Sequence, residues 1–134
     1  MTAAERFFDT NVLLYLLSGD EARAECAEKE MSDGGVVSVQ VLNEFASVAS
    51  RKLMMSILEI REVLAVIRAG CSVVPVTAET HDLGLQVVER YGLSVYDAMI
   101  VAAALLAKCK TLVSEDMQDG QVIERQLTVL NPFR

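Results

Sequence analysis

Basic residues are the minority in these 134 residues, and there is one histidine. No C-x-x-C pair, phosphate-binding glycine loop, G-x-G-x-x-G turn or membrane-length apolar run occurs. Each absence removes a class. A Ser/His/Asp relay could be built only through His81, which reads as a helix residue without a catalytic role, so nucleophilic and dinucleotide-binding chemistries fit poorly. Cys26, Cys71 and Cys109 are odd in number and unpaired in spacing, which suits reduced thiols in a cytosol and small core residues rather than ligands. The longest uncharged apolar run, Ala98 to Ala107, falls short of the ~20 residues of a membrane helix. Glu5, Arg6 and Asp9 interrupt the opening segment, so no signal-peptide core is expected and a cytoplasmic location is.

What is present is apolar and acidic. The chain is 52% hydrophobic, enough for a sizeable core in one domain over residues 1–134. Twelve basic against nineteen acidic residues give a net charge of −7, which opposes non-specific binding to nucleic acid. Two bound divalent ions would raise it to −3, since −7 plus 4 is −3. Arg51, Lys52, Arg61 and Arg68 fall on two consecutive expected helices, where they could line a phosphate path or simply form a solvated face.

Strand and helix signals alternate along the chain. Strands are expected at 6–8, 36–38, 71–76, 111–113 and 127–130, with Pro75 placing the third at an edge or at its own end. Helices are expected at 10–17, 21–31, 40–52, 57–69 and 95–108, with one more from a Thr77 cap to Tyr91. Gly70 and Gly92 stand as helix-closing glycines. This order implies an α/β fold with a mostly parallel central sheet and helices on both faces. Ligands of such sheets gather beyond the carboxyl ends of the strands, where Asp9 and Asp116 both fall.

Four acids sit beside apolar segments that would ordinarily exclude a charge: Asp9, Glu44, Asp97 and Asp116. A carboxylate there loses hydration, which is tolerable only if a cation or hydrogen-bond donor meets it. No Lys or Arg recurs beside them. A hard divalent cation is a natural partner, because Mg²⁺ takes oxygen ligands and keeps reactive waters. Each acid also has a plainer reading. Asp97 completes Ser94-x-x-Asp97, a capping-box pattern; Asp9 could open the helix from Thr10 as an Asx turn; Glu44 could be an exposed acid beside an apolar face; Asp116 could be an ordinary loop acid, like Glu115 and Asp119.

Phe8-Asp9-Thr10-Asn11-Val12-Leu13-Leu14, Glu44 within a helix, Tyr96-Asp97-Ala98-Met99 with the alanine-rich helix behind it, and Leu112-Val113-Ser114-Glu115-Asp116-Met117 follow one another as in PIN-domain nucleases, which the chain resembles along essentially its whole length. In size it looks most like the VapC toxins of type II toxin–antitoxin modules. The resemblance implies an endoribonuclease whose catalytic, metal-binding acids are Asp9, Glu44, Asp97 and Asp116, supported by Asn11, Ser114 and Asp119, with Mg²⁺ or Mn²⁺ as cofactor. It leaves open how Asp116 and Asp119 divide their roles. It further implies an RNA substrate, a cognate VapB-like antitoxin and a homodimer, with no membrane association. Two other classes compete: a catalytically silent PIN-like module binding RNA or protein, and a HAD-like phosphatase using Asp9 as nucleophile. The second asks for an acid where Asn11 stands.

Overall fold

In the computed structural model, which describes residues 5–134, strands and helices alternate from the start. β1 (Arg6–Phe8) is followed by α1 (Thr10–Tyr15) and α2 (Glu21–Met31). β2 (Gly35–Ser38) is followed by α3 (Val39–Arg51) and α4 (Ile57–Gly70). β3 (Cys71–Val74) leads to α5 (Ala78–Tyr91) and α6 (Val95–Leu106). β4 (Thr111–Val113), β5 (Val122–Ile123) and β6 (Leu127–Leu130) complete one six-stranded sheet, ordered β3-β2-β1-β4-β6-β5. Every pairing is parallel except β5 with β6. β2 is buried along its whole length, as a strand covered by helices on both faces must be.

The core gathers on the central strands. Phe7, Phe8, Val37, Leu112 and Val113 have no exposure at all. Phe8 packs so close to β2 that a Cβ at Gly35 would lie 2.5 Å from its ring and 2.7 Å from the Arg6 carbonyl oxygen. Only glycine fits there. Helix α6 is buried from Ala98 to Leu105, so nearly its entire surface is core. That explains a segment apolar on all sides, without the one-sided pattern of a surface helix.

Several boundaries differ from expectation. α1 ends at Tyr15 rather than Leu17, and α6 at Leu106 rather than Lys108. Lys108 turns left-handed (φ 62°) without the glycine that usually marks such a stop. β3 ends at Val74, immediately before Pro75, on the sheet edge. Gly70 is the last residue of α4 and leads straight into β3, whereas Gly92 does close α5 with φ 69°. β5 has no counterpart among the expected strands. It joins β6 through Glu124, Arg125 and Gln126, the first two left-handed (φ 54° and 56°), in a tight hairpin turn whose left-handed positions usually call for Asn or Gly. The turn is held from α5: Arg90 donates to both Glu124 carboxylate oxygens at 2.9 and 2.8 Å, and the Tyr91 hydroxyl accepts from the Glu124 N–H at 2.9 Å.

Candidate active site

β1 and β4 lie side by side with Phe8 opposite Val113, so the next residues, Asp9 and Ser114, emerge together at the carboxyl ends of the two strands. The Asp9 N–H continues the ladder to the Val113 carbonyl at 3.0 Å. Asp9 is also the N-cap of α1, its Oδ1 accepting from the Thr10 N–H at 2.7 Å. Its Oδ2 accepts from the Ser114 hydroxyl at 2.8 Å, and Ser114 Oγ in turn accepts from the Asp116 N–H at 3.2 Å. Capping and site-building therefore coexist at Asp9.

The other acids arrive on helices and one loop. Glu44 stands one turn after Gln40 on α3, beside the buried Val41 and Phe45. Thr10 Oγ1 donates to its Oε1 at 2.6 Å, and Gln40 Nε2 to its Oε2 at 3.1 Å. Asp97 lies in the first turn of α6, its N–H bonded to the capping Ser94 hydroxyl at 3.2 Å. Asn11 donates to Asp116 Oδ2 at 2.9 Å. Asp9, Glu44, Asp97 and Asp116 line one cleft of about 240 Å³, together with Thr10, Asn11 and, from α3, Arg51. Lys52, Arg61 and Arg68 are exposed outside that lining.

Asp119 is placed differently. Its carboxylate accepts from the Asn131 N–H and from Arg134, each at 2.7 Å, and so ties down the C-terminal segment. Glu115 points its charge elsewhere too: it accepts from the Tyr15 hydroxyl and, at 2.5 Å, from Arg23, which lies 4.9 Å over the Tyr15 ring. Those bonds hold the Glu115 carboxyl below its usual range. They also anchor the backbone between Ser114 and Asp116. Of the helpers, Gln40 could have been found from its spacing of one helical turn before Glu44. Tyr15 and Arg23 carry no local signal, because they meet Glu115 only through the fold.

The electrostatics of the cleft are those of a charge deficit. Burial lifts the Asp9 carboxyl from 3.8 to about 6, with Asp116 and Asp97 adding to the rise and the Ser114 and Thr10 hydrogen bonds opposing it. Asp97 is raised by burial and by Glu44. Asp116 is raised by burial, then by Asp97, Glu115 and Glu44, against the Asn11 hydrogen bond. Among the described residues none of the four makes an ion pair. Nor do any three acid, histidine or cysteine side chains among them form a ready-made coordination cage. The donor set still fits a hydrated divalent cation, since Mg²⁺ keeps several waters and asks a protein for only one or two carboxylates. A cation there would relieve the repulsion that raises these carboxyls.

The family model for the PIN domain matches residues 6–118. The chain belongs to the PIN-domain family. No curated protein matches it. Among solved structures, a toxin–antitoxin complex from Klebsiella pneumoniae superposes with a TM-score of 0.72 at 20% identity, over 96% of this chain and 98% of that one. The Mycobacterium tuberculosis VapC20 toxin, described as cleaving the sarcin–ricin loop, gives 0.66 at 19%, over 80% and 86%. Rickettsia felis VapBC2, solved on a DNA fragment from its promoter, gives 0.65 at 16%, over 94% and 98%. At such identities the likeness is one of fold. Among the described residues no helix is long and apolar enough to cross a membrane.

Proposed function

We propose that this PIN domain is a divalent-cation-dependent endoribonuclease and the toxin of a toxin–antitoxin pair. The observation that carries the reading is the meeting of Asp9, Glu44, Asp97 and Asp116 on one cleft, none of them in an ion pair among the described residues. These four would hold Mg²⁺ or Mn²⁺, which when bound neutralises phosphate oxygens and acidifies a water beside the phosphorus. The chain's own contribution is preorganisation. Ser114 and the Thr10 N–H fix both oxygens of Asp9, Thr10 and Gln40 fix both oxygens of Glu44, and Asn11 fixes one oxygen of Asp116. Arg51 on the cleft lining offers the RNA backbone a positive group. Hydrolysis adds water across the bond from phosphorus to the 3′ oxygen, which leaves as a hydroxyl and gives a 5′-phosphate on the other fragment.

The toxin half of the reading rests on the company the fold keeps. Toxins in complex with their antitoxins, and a toxin described as cutting the sarcin–ricin loop, are among its structural neighbours. An acidic cleft is readily blocked by an Arg or Lys side chain, so a VapB-like antitoxin presenting one is the fitting inhibitor. Purified protein is expected to cut RNA with Mg²⁺ or Mn²⁺ and to lose that activity with the product of the adjacent gene. Cutting that survives exhaustive chelation would exclude the metal requirement. Intact RNA with either ion would exclude the nuclease.

A further inference from the structure

A chain of net charge −7 has little to offer a phosphate backbone. Among the described residues, Arg51 is the single basic residue on the cleft lining. Beyond the cation and Arg51, affinity for RNA is left to the bases, whose faces are apolar and whose edges carry donors and acceptors.

A groove of that character adjoins the cleft. It holds about 510 Å³, within the range of small-ligand pockets, and shares Glu44 and Ser47 with the acidic site. Val76, Val95 and Met99 give it an apolar lining, and Asn43 and His81 supply polar groups. Tyr96, which also lines it, is 71% exposed and immediately precedes Asp97. Gln40 joins the two spaces: the amide that donates to Glu44 also donates to the Tyr96 carbonyl at 3.2 Å. An aromatic ring left in water beside a phosphate-handling site is a platform without its stack.

Resting on the nuclease reading, we propose that this groove is a base-binding subsite. It takes the base of a nucleotide next to the scissile phosphate, stacked on Tyr96, with its edge met by Asn43 and His81. RNA binding by this chain then depends on stacking on Tyr96 as well as on the cation.

The test uses a short single-stranded oligoribonucleotide carrying 2-aminopurine, with Ca²⁺ replacing Mg²⁺ to keep the strand intact. Wild type and Tyr96→Phe are expected to bind it and quench its fluorescence. Tyr96→Ala is expected to lose the quenching and to bind roughly 5–100-fold more weakly. An abasic nucleotide at the quenched position should cost wild type the same factor and cost Tyr96→Ala nothing more. Undiminished binding and quenching by Tyr96→Ala overturns the subsite. So does an Ala variant that changes only oligomeric state or antitoxin capture. RNA that is bound and quenched through Tyr96 but never cut with Mn²⁺ refutes the nuclease while the groove stands. RNA neither bound nor cut refutes both.

Discussion

Asp9→Asn takes the charge from the most buried of the four carboxylates, which is 4% exposed. In the folded chain this carboxyl is lifted from 3.8 to about 6, so the native state holds its proton more tightly than the unfolded state does. Its effect on metal-free stability therefore has a fixed sign. The contribution of this one carboxyl is greatest below about pH 4, falls as pH rises towards about 6, and stays low above it. At about 1.36 kcal/mol per tenfold change in proton affinity, the loss approaches roughly 3 kcal/mol at neutral pH. Asparagine still accepts from the Thr10 N–H, but its Nδ2 replaces the oxygen that accepted from the Ser114 hydroxyl, a lost bond that costs about 1 kcal/mol. The variant should thus be about 2 kcal/mol more stable than wild type above pH 7, a rise of roughly 5–10 °C in Tm, and no better below pH 4. Excess Mn²⁺ should reverse the order, adding about 2.7 kcal/mol to wild type at a hundredfold excess over Kd and little to the variant. Thermal melts at several pH values, with chelator and with Mn²⁺, measure all of this. Melting curves that stay parallel across pH, or a variant destabilised at pH 8 in chelator, would refute the reasoning.

Other substitutions probe the supports. Thr10→Val keeps shape but strips Glu44 of its 2.6 Å donor, and should weaken Mn²⁺ binding by about 10–100-fold in calorimetric titration with little change in fold. Ser114→Ala removes a bond that favours ionised Asp9, so that carboxyl should titrate above about 6 when followed by NMR; a midpoint that falls would contradict the assignment. Gly35→Ala forces a Cβ against the Phe8 ring and the Arg6 carbonyl, and should cost about 1–3 kcal/mol or more in denaturant melts.

The edge of the sheet that carries the candidate site was readable because Asp9 and Asp116 both follow short apolar strands, and parallel α/β sheets hold their sites beyond strand ends. Asp97 was legible for a related reason: a helix apolar on every side must be buried, and its first turn then opens inward or onto a cleft. Glu44 showed itself only as an acid beside an apolar stripe. What stayed hidden depends on contacts between distant residues. Asp116 and Asp119 cannot be told apart within Ser114-Glu115-Asp116-Met117-Gln118-Asp119 until Asn131 and Arg134 fold back onto Asp119. The clamp of Tyr15 and Arg23 on Glu115 spans some hundred residues of chain. β5 escaped because Glu124-Arg125-Gln126 lacks the glycine or asparagine usual where a hairpin turns left-handed, and the grip from Arg90 and Tyr91 compensates. Lys108 ended α6 early by the same kind of local exception.

The central claim is that the four acids act together through a divalent cation on RNA. Its most direct test is the single-turnover rate of RNA cleavage against Mn²⁺ concentration, for wild type and for Asp97→Asn, a substitution confined to a half-buried helix turn. Wild type should show saturable dependence on Mn²⁺ and no rate without it. The variant should be slower by at least about 10²–10³-fold at every concentration while melting no lower than wild type in chelator. Equal rates for the two proteins, or a wild-type rate indifferent to Mn²⁺, would contradict the account.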